Sequence, residues 1–376
     1  MKVGIMGFGT VGCGAYKIAK AADGIEIAGI FSRRLRPEYE PMLEEDGNIG
    51  LFTTEPERIW QNDSIDVVIE SMGGVEPARK YVLACLNSGK HVVTPNKNLI
   101  SACYDELMEA ADRNGVQLRF TATAGGGIPW LFNLSRTTRC DTIKEVRGIV
   151  NGTCNYILDA MHTNGDDYAD ILKKAQELGY AEADPAADVE GTDTLRKTVI
   201  SANIAFGTVI KEEDVPCFGI DTIEKRDIDW FNEHGYTCKL MMNAKTIGDG
   251  SEIAAYVEPT LFPAGSLEAN VRTNMNLITL VGESIGTQSF YGQGAGMLAT
   301  GESVIQDVID IKEGGSLKKT ETRTLKVNNA AEKHKYYIRQ GEKAVVTSPV
   351  SVEEMNRIAE TCKENNIPLF YAAIVE

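Results

Sequence analysis

The chain has 376 residues, 43% of them hydrophobic, and a net charge of −16 from 38 basic and 54 acidic side chains. That is enough chain for two or three domains with real cores, and the acidic balance argues against nucleic acid or an anionic membrane surface as partner. Eight scattered cysteines with no CxxC pair, and four histidines without ligand spacing, argue against a disulfide scaffold and a zinc site.

No signal-peptide pattern and no run of 18 mainly apolar residues stands in the sequence, so a cytoplasmic protein with reduced, mostly buried thiols is expected. "KVGIMG" at 2–7 reads as a buried strand. "GFGTVG" follows at 7–12, then an apolar-periodic helix to about residue 21. Further strands are expected at 26–31, 66–70, 89–94 and 117–122, with helices at 77–88 and 104–114. Strands alternating with helices predict a parallel sheet covered on both faces.

The pattern then changes. A strand is expected at 143–150, helices at 155–162, 168–177 and 192–206, and alternating strands at 236–246, 252–258 and 276–281. Residues 292–311 begin with glycines and become helical. The tail is charged, and its 335–376 part reads strand, strand, helix, strand. The expected fold class is α/β. A Rossmann-type dinucleotide-binding domain spans 1–130 and is completed by about 292–311. An α+β substrate-binding and catalytic domain spans 131–291, and a short α+β tail spans 312–376.

"GFGTVG" matches GxGxxG in the context its mechanism requires, after a strand and before a helix. Gly7 permits the tight turn, and Gly9 lets the backbone approach a pyrophosphate. Thr10 and Val11 open the helix whose N-terminus faces the phosphates, and Gly12 lets helix and strand pack closely. The second strand ends at Phe31 and "SRR" follows. An acid would hold the ribose 2′-hydroxyl of NAD here. Ser32 is instead a neutral hydroxyl, and Arg33 and Arg34 offer forked donors for a 2′-phosphate, so NADP is expected, with NAD the alternative.

"HVVTPNKNLIS" sets Lys97 just past a strand's C-terminal end, the edge where open α/β sheets bind ligands; it is either a surface charge or a catalytic group. From Glu182, "EADPAADVEGTD" packs five carboxylates into twelve residues shortly before Lys197. The stretch is either a solvated acidic loop or a pocket that grips an ammonium group. Asp193 and Lys197 are i and i+4 on an expected helix and share a face. Asp184 before Pro185 suits a turn cap, and Glu190 an exposed position.

"GFGTVG", "TPNKNLIS", "AGGGIP", "NGTCNYIL", "LGYAEADPAADVEGTDTLRK" and "GQGAGMLATGESV" together resemble the homoserine dehydrogenase family, in that family's order and spacing, over about residues 1–311. The resemblance implies reduction of L-aspartate 4-semialdehyde to L-homoserine with NAD(P)H, a step towards threonine, methionine and isoleucine. It implies that Lys197 is the proton donor and Lys97 a second active-site lysine that also meets the cofactor. Glu182 and Asp193 would hold the substrate, Asp188 would share its pocket, and Gly296 would lie against the nicotinamide. It also implies a sodium loop made by the backbone carbonyls of Thr121, Ala124, Gly126 and Ile128, and a homodimer or higher homo-oligomer built on the second domain's sheet. The chain departs from the family where Ala299 and Gly301-Glu302 replace the usual proline and Thr-Ala-Ser.

The alternatives are another amino-acid dehydrogenase of the Rossmann class and a non-catalytic NADP-sensing module. The chain opens on the dehydrogenase strand, so no N-terminal kinase domain is expected. Long members of the family end in a regulatory ACT domain. Residues 335–376 offer one helix and three strands, a truncated ACT-like element or a structural cap.

Overall fold

The computed structural model describes residues 1–315 and 323–375. They form two compact units. One comprises Met1–Arg136 with residues 295–315, and the other Thr137–Gly294 with residues 323–375.

In the first unit, β1 (Lys2–Met6), α1 (Thr10–Ala21), β2 (Glu26–Phe31), α2 (Glu40–Glu45), β3 (Phe52–Thr53), α3 (Glu57–Trp60), β4 (Val67–Glu70), α4 (Ala78–Asn87), β5 (His91–Val93), α5 (Lys97–Asn114), β6 (Leu118–Arg119) and α6 (Trp130–Thr137) follow in order. The six strands pair parallel in the order β3-β2-β1-β4-β5-β6. This is the doubly wound arrangement, in which the strand order reverses between β1 and β4 and opens a crevice at their carboxyl ends. The central strands are mainly apolar because helices cover both faces.

The short elements α2, β3 and α3 and the helix α6 were not expected, and two of the expected elements have clearly different bounds. The helix of 104–114 begins earlier, at Lys97, because Asn96 caps it by accepting from Leu99 N at 3.2 Å; a kink at Cys103 had hidden this first part. The strand of 117–122 ends at Arg119, because Asp307 takes the Thr121 backbone N–H at 3.0 Å and its hydroxyl at 2.9 Å and turns the chain into a 3-10 turn.

In the second unit, β7 (Ile143–Ile149), α7 (Gly152–Asn164), α8 (Tyr168–Glu177), α9 (Ala186–Val189), α10 (Thr192–Phe206), α11 (Lys225–Glu233), β8 (Tyr236–Ile247), β9 (Glu252–Pro263), β10 (Met275–Gly282) and β11 (Gly286–Gln293) come first. The chain returns to the first unit for α12 (Met297–Lys312), then adds β12 (Lys326–Val327), β13 (Lys333–Gln340), β14 (Lys343–Val346), β15 (Val350–Ser351), α13 (Val352–Glu364) and β16 (Leu369–Ile374). One mixed sheet runs β11-β10-β7-β8-β9-β16-β13-β14. The tail is therefore sheet, not appendage: β16 lies parallel to β9 and antiparallel to β13, and all six of its residues are buried.

Of the residues that break the family pattern, Gly301 has a packing reason. Helix α12 buries Val304, Ile305 and Val308 in the same core as Val3, Ile5 and Ala15 of the first unit. A Cβ on Gly14 would lie 2.2 Å from Met297 O, and one on Gly301 would lie 2.6 Å from Gly14 C. The two helices cross backbone to backbone, and only glycine allows that approach.

Candidate active site

In the first unit the chain turns out of β1 at Gly7, whose φ of +98° and crowding by Ser71 backbone admit glycine alone. A Cβ on Gly12 would meet Gly7 O at 2.0 Å, so the helix packs on the turn as the motif requires. Gly9 is the N-cap of α1 and carries no capping side chain, which leaves the first-turn N–H groups, beginning at Thr10 and Val11, for an anion.

This loop walls a cavity of about 610 Å³ that also takes in Phe31, Ser32, Arg33 and Arg34. A third arginine, Arg36, lines it as well and brings Nη2 to 3.8 Å from the Cβ position of Gly9. It stood unremarked in "SRRLR". The donor set, an uncapped helix N-terminus beside three guanidiniums, fits a dinucleotide pyrophosphate and a further phosphate.

Glu70, at the carboxyl end of β4, is fully buried, and burial raises its pKa against the hydrogen bonds it accepts. It accepts from Thr94 Oγ1 at 2.6 Å and from Met72 N at 2.7 Å. Asn96 Nδ2 donates to Gly74 O at 2.7 Å while its Oδ1 caps α5. Glu70 and Asn96 thus tie the cavity loop at 72–74 to the helix start that carries Lys97. Gly296 caps α12 with φ +143°, again a glycine conformation.

In the second unit the acidic stretch divides. Asp184 caps the turn into α9 through Ala186 N at 3.2 Å. Glu190 is exposed, and so is Glu182, whose carbonyl accepts from Gln176 Nε2 at 3.1 Å. Thr153 Oγ1 donates to Tyr180 O at 2.6 Å and anchors the loop that leads to Glu182.

Asp188, Asp193 and Lys197 come together. Lys197 Nζ donates to Asp193 Oδ2 at 2.7 Å and to Val150 O at 2.6 Å. Both side chains are buried, at 9% and 7% exposure. Asn151 Nδ2 spends its two hydrogens on Asp188 Oδ1 at 2.7 Å and Asp193 Oδ2 at 2.8 Å, while its Oδ1 caps α7 by accepting from Cys154 N at 2.8 Å. Asn151 was missed as a site residue, although it opens "NGTCNYIL" in the position of a helix cap.

Burial raises the Asp188 carboxyl, and the Asp193 charge adds to it; the hydrogen bond from Asn151 opposes both. Two carboxylates against one ammonium leave a negative cluster that attracts a cationic group. Two of the three Lys197 donors are engaged, and the third is open among the described residues.

A dinucleotide cradle on a doubly wound sheet in the first unit, and in the second a buried lysine set among carboxylates, point to an NAD(P)-dependent oxidoreductase. The family model for homoserine dehydrogenase matches residues 129–309, and that for homoserine dehydrogenase, NAD binding domain, matches 7–121. The chain is similar to the homoserine dehydrogenase of Bacillus subtilis, 39% identical over 83% of this chain and 72% of the relative, and to that of Corynebacterium glutamicum, 40% identical over 82% and 71%. Its fold is similar to the crystal structure of a homoserine dehydrogenase from Thiobacillus denitrificans, with TM-score 0.87 and 29% identity over 100% of this chain and 98% of that one. The Staphylococcus aureus enzyme aligns at TM-score 0.76 and 28% identity over the same shares. The chain belongs to the homoserine dehydrogenase family, and its activity is the NAD(P)-dependent interconversion that names the family.

Proposed function

We propose that the chain reduces L-aspartate 4-semialdehyde to L-homoserine with NADPH, with Lys197 as proton donor. The observation that carries this reading is the buried Lys197 ammonium, held by Asp193 and Val150 with one donor left over. The cofactor, when bound, supplies a hydride to the aldehyde carbon. Negative charge then builds on the aldehyde oxygen, and the third N–H of Lys197 stabilises it and passes its proton there.

Asp193 holds Lys197 in place. Asp188, fixed by Asn151, takes the substrate ammonium together with Glu182 on its exposed loop. Lys97, in the first turn of α5, is the second lysine and serves the cofactor side. Gly296 gives the nicotinamide end room that a Cβ would take. A non-catalytic sensor would have no use for a buried lysine between carboxylates. The preference for NADPH rests on Ser32, Arg33 and Arg34 in the cavity, with Arg36 beside them.

We extend the proposal to a sodium ion at the carbonyls of Thr121, Ala124, Gly126 and Ile128. The loop turns on Gly125 and Gly126, both at positive φ. Gly126 O already accepts from Ser303 Oγ and Ile128 O from Trp130 N, which leaves each a second lone pair for a hard cation. The ion is structural, and no chemical step passes through it.

The homodimer is proposed on the second unit's sheet, whose edge strand β11 exposes Tyr291. A cytoplasmic setting accords with eight unpaired cysteines, and among the described residues no helix is long and apolar enough to cross a membrane. The deciding experiment follows NADPH oxidation with aspartate semialdehyde against a panel of other oxo acids. A faster rate with any other oxo acid would overturn the substrate assignment.

A further inference from the structure

In the proposed reaction Asp188 and Glu182 take the substrate's ammonium and Lys197 its aldehyde oxygen, which leaves the α-carboxylate without a partner. The side-chain donors beside the cluster are spent, Asn151 Nδ2 on Asp188 and Asp193, and Thr153 Oγ1 on Tyr180 O. Asn276 on β10 is different. It is fully buried, and among the described residues neither its Nδ2 nor its Oδ1 meets a partner.

Strand register places Asn276 beside the Lys197 site. Leu277 pairs with Ile149 of β7, and these two side chains cluster with Met241, Phe262 and Ala269. Side chains alternate along a strand, so Asn276 and Val150, one residue further out, project to the other face, against which α7 and α10 pack. Val150 is the residue whose carbonyl holds Lys197 Nζ at 2.6 Å. Paired residues of neighbouring strands lie about 5 Å apart, which sets the Asn276 amide one strand away from the lysine's anchor. The wall around it is cleared of other side chains. Asn276 pairs with Gly292, and a Cβ on Gly294 would fall 1.8 Å from Asn276 Nδ2. Lys197 and Asp193 are nearly as closed to solvent, so burial does not separate Asn276 from the groups of the chemistry.

The loop that leads to Asn276 is held under strain. Thr273 sits at φ +55°, a left-handed conformation that is costly for a β-branched residue and that clusters at functional sites. Asp159 Oδ2 takes its N–H at 2.8 Å. Asn155 Nδ2 donates to Met275 O at 2.9 Å, and the buried Lys239 ammonium donates to Val271 O at 2.7 Å and to Asn155 Oδ1 at 2.8 Å. Side chains of α7 and β8 thus fix the loop, while the amide at its end is left open. A buried amide without a partner costs stability, and a ligand that fills its hydrogen bonds recovers that cost.

We propose that Asn276 binds the α-carbon end of the substrate, with Nδ2 donating to the α-carboxylate and Oδ1 accepting from the ammonium. A carboxamide offers a donor and an acceptor side by side, the pattern that a carboxylate and an ammonium on one carbon require. This role rests on the function proposed above and adds to it the residue that tells an α-amino acid from a simple amine.

Calorimetry of the full chain saturated with NADP+ tests this without turnover. Its ligands are L-2-aminobutyrate, propylammonium, which lacks the carboxylate, and butyrate, which lacks the ammonium. Wild type should bind L-2-aminobutyrate best. Asn276→Leu keeps the shape of the side chain and removes both polar atoms. It should weaken L-2-aminobutyrate about 10- to 100-fold, the range for hydrogen bonds to charged groups, and propylammonium by a smaller factor. It should melt no lower than wild type, because an apolar group has replaced an unpaired buried amide. Asn276→Asp, which sets a negative charge where Nδ2 stood, should erase the preference for L-2-aminobutyrate over propylammonium; if it does not fold, the leucine variant decides. In turnover, Asn276→Leu should raise KM for L-homoserine more than it lowers kcat. Three results overturn the proposal: no binding of L-2-aminobutyrate to wild type at about 10 mM, binding to Asn276→Leu as tight as to wild type, or a loss of binding accompanied by a melting temperature several degrees lower, the mark of a structural role. A chain that binds L-2-aminobutyrate through Asn276 yet does not oxidise L-homoserine would sink the proposed function and leave this site standing. Oxidation of L-homoserine with unchanged kinetics in Asn276→Leu would do the reverse.

Discussion

Lys197 Nζ lies 2.7 Å from Asp193 Oδ2, one turn further along α10, and both side chains are buried. A buried ion pair contributes little to stability once desolvation is counted, so this one is better explained by chemistry than by folding. Lys197→Ala should lower turnover by about two to four powers of ten while leaving NADPH binding near normal, the range for a lost general acid. Steady-state kinetics with a fluorescence titration of cofactor reads both. Unchanged turnover would remove Lys197 from the mechanism.

Asn151 has two tasks, which substitution can separate. Asn151→Ala loses the cap of α7, worth about 1 kcal/mol, and the bridge between Asp188 and Asp193. Asn151→Ser keeps a capping oxygen and loses only the bridge. The serine variant should therefore melt close to wild type yet show a raised KM and lowered kcat. If its kinetics match wild type, the bridge is structural.

Arg33→Ala with Arg34→Ala should weaken NADPH more than NADH, because only NADPH carries the 2′-phosphate. Arg36→Ala, which removes a guanidinium near Gly9 and the helix N-terminus, should weaken both by a similar factor. Dissociation constants for the two cofactors check this. Equal losses in the double variant would deny a phosphate-reading role.

Gly301→Ala forces a Cβ to 2.6 Å from Gly14 C at a backbone crossing. Overpacking of this kind costs about 1–3 kcal/mol, so the melting temperature should fall by several degrees. A neutral result would mean that α1 and α12 separate without cost.

The tail builds the sheet through β16, so we expect it to serve stability and assembly rather than effector sensing. Removing residues after Ile311 would strip β9 of a paired neighbour and expose its edge, and the product should aggregate. Threonine at millimolar levels should leave both reaction directions unchanged. Inhibition in the full chain would make the tail an effector element.

Sequence alone determined the elements whose signal is local. Strand Glu26–Phe31 and helices Tyr168–Glu177 and Thr192–Phe206 match their expected bounds, since period and punctuation lie within each segment. The glycine loop was legible for the same reason, because the turn and the helix N-terminus that it needs are neighbours in the chain. Asp193 and Lys197 were legible as a pair because a helix sets i and i+4 side by side.

What tertiary structure decided lies between distant segments. Asn151 meets acids 37 and 42 residues away, and no spacing rule links them. Thr121 turns out of its expected strand because Asp307, 186 residues further on, takes its N–H. Glu258 looks like an ordinary polar residue on an alternating strand, and it became a buried, weakly partnered acid only when the tail's β13 and β16 joined the sheet beside β9. Local sequence sets which backbone hydrogen bonds and faces an element offers. Which partners those faces meet, and which charges lose their water, is settled only when the chain closes on itself.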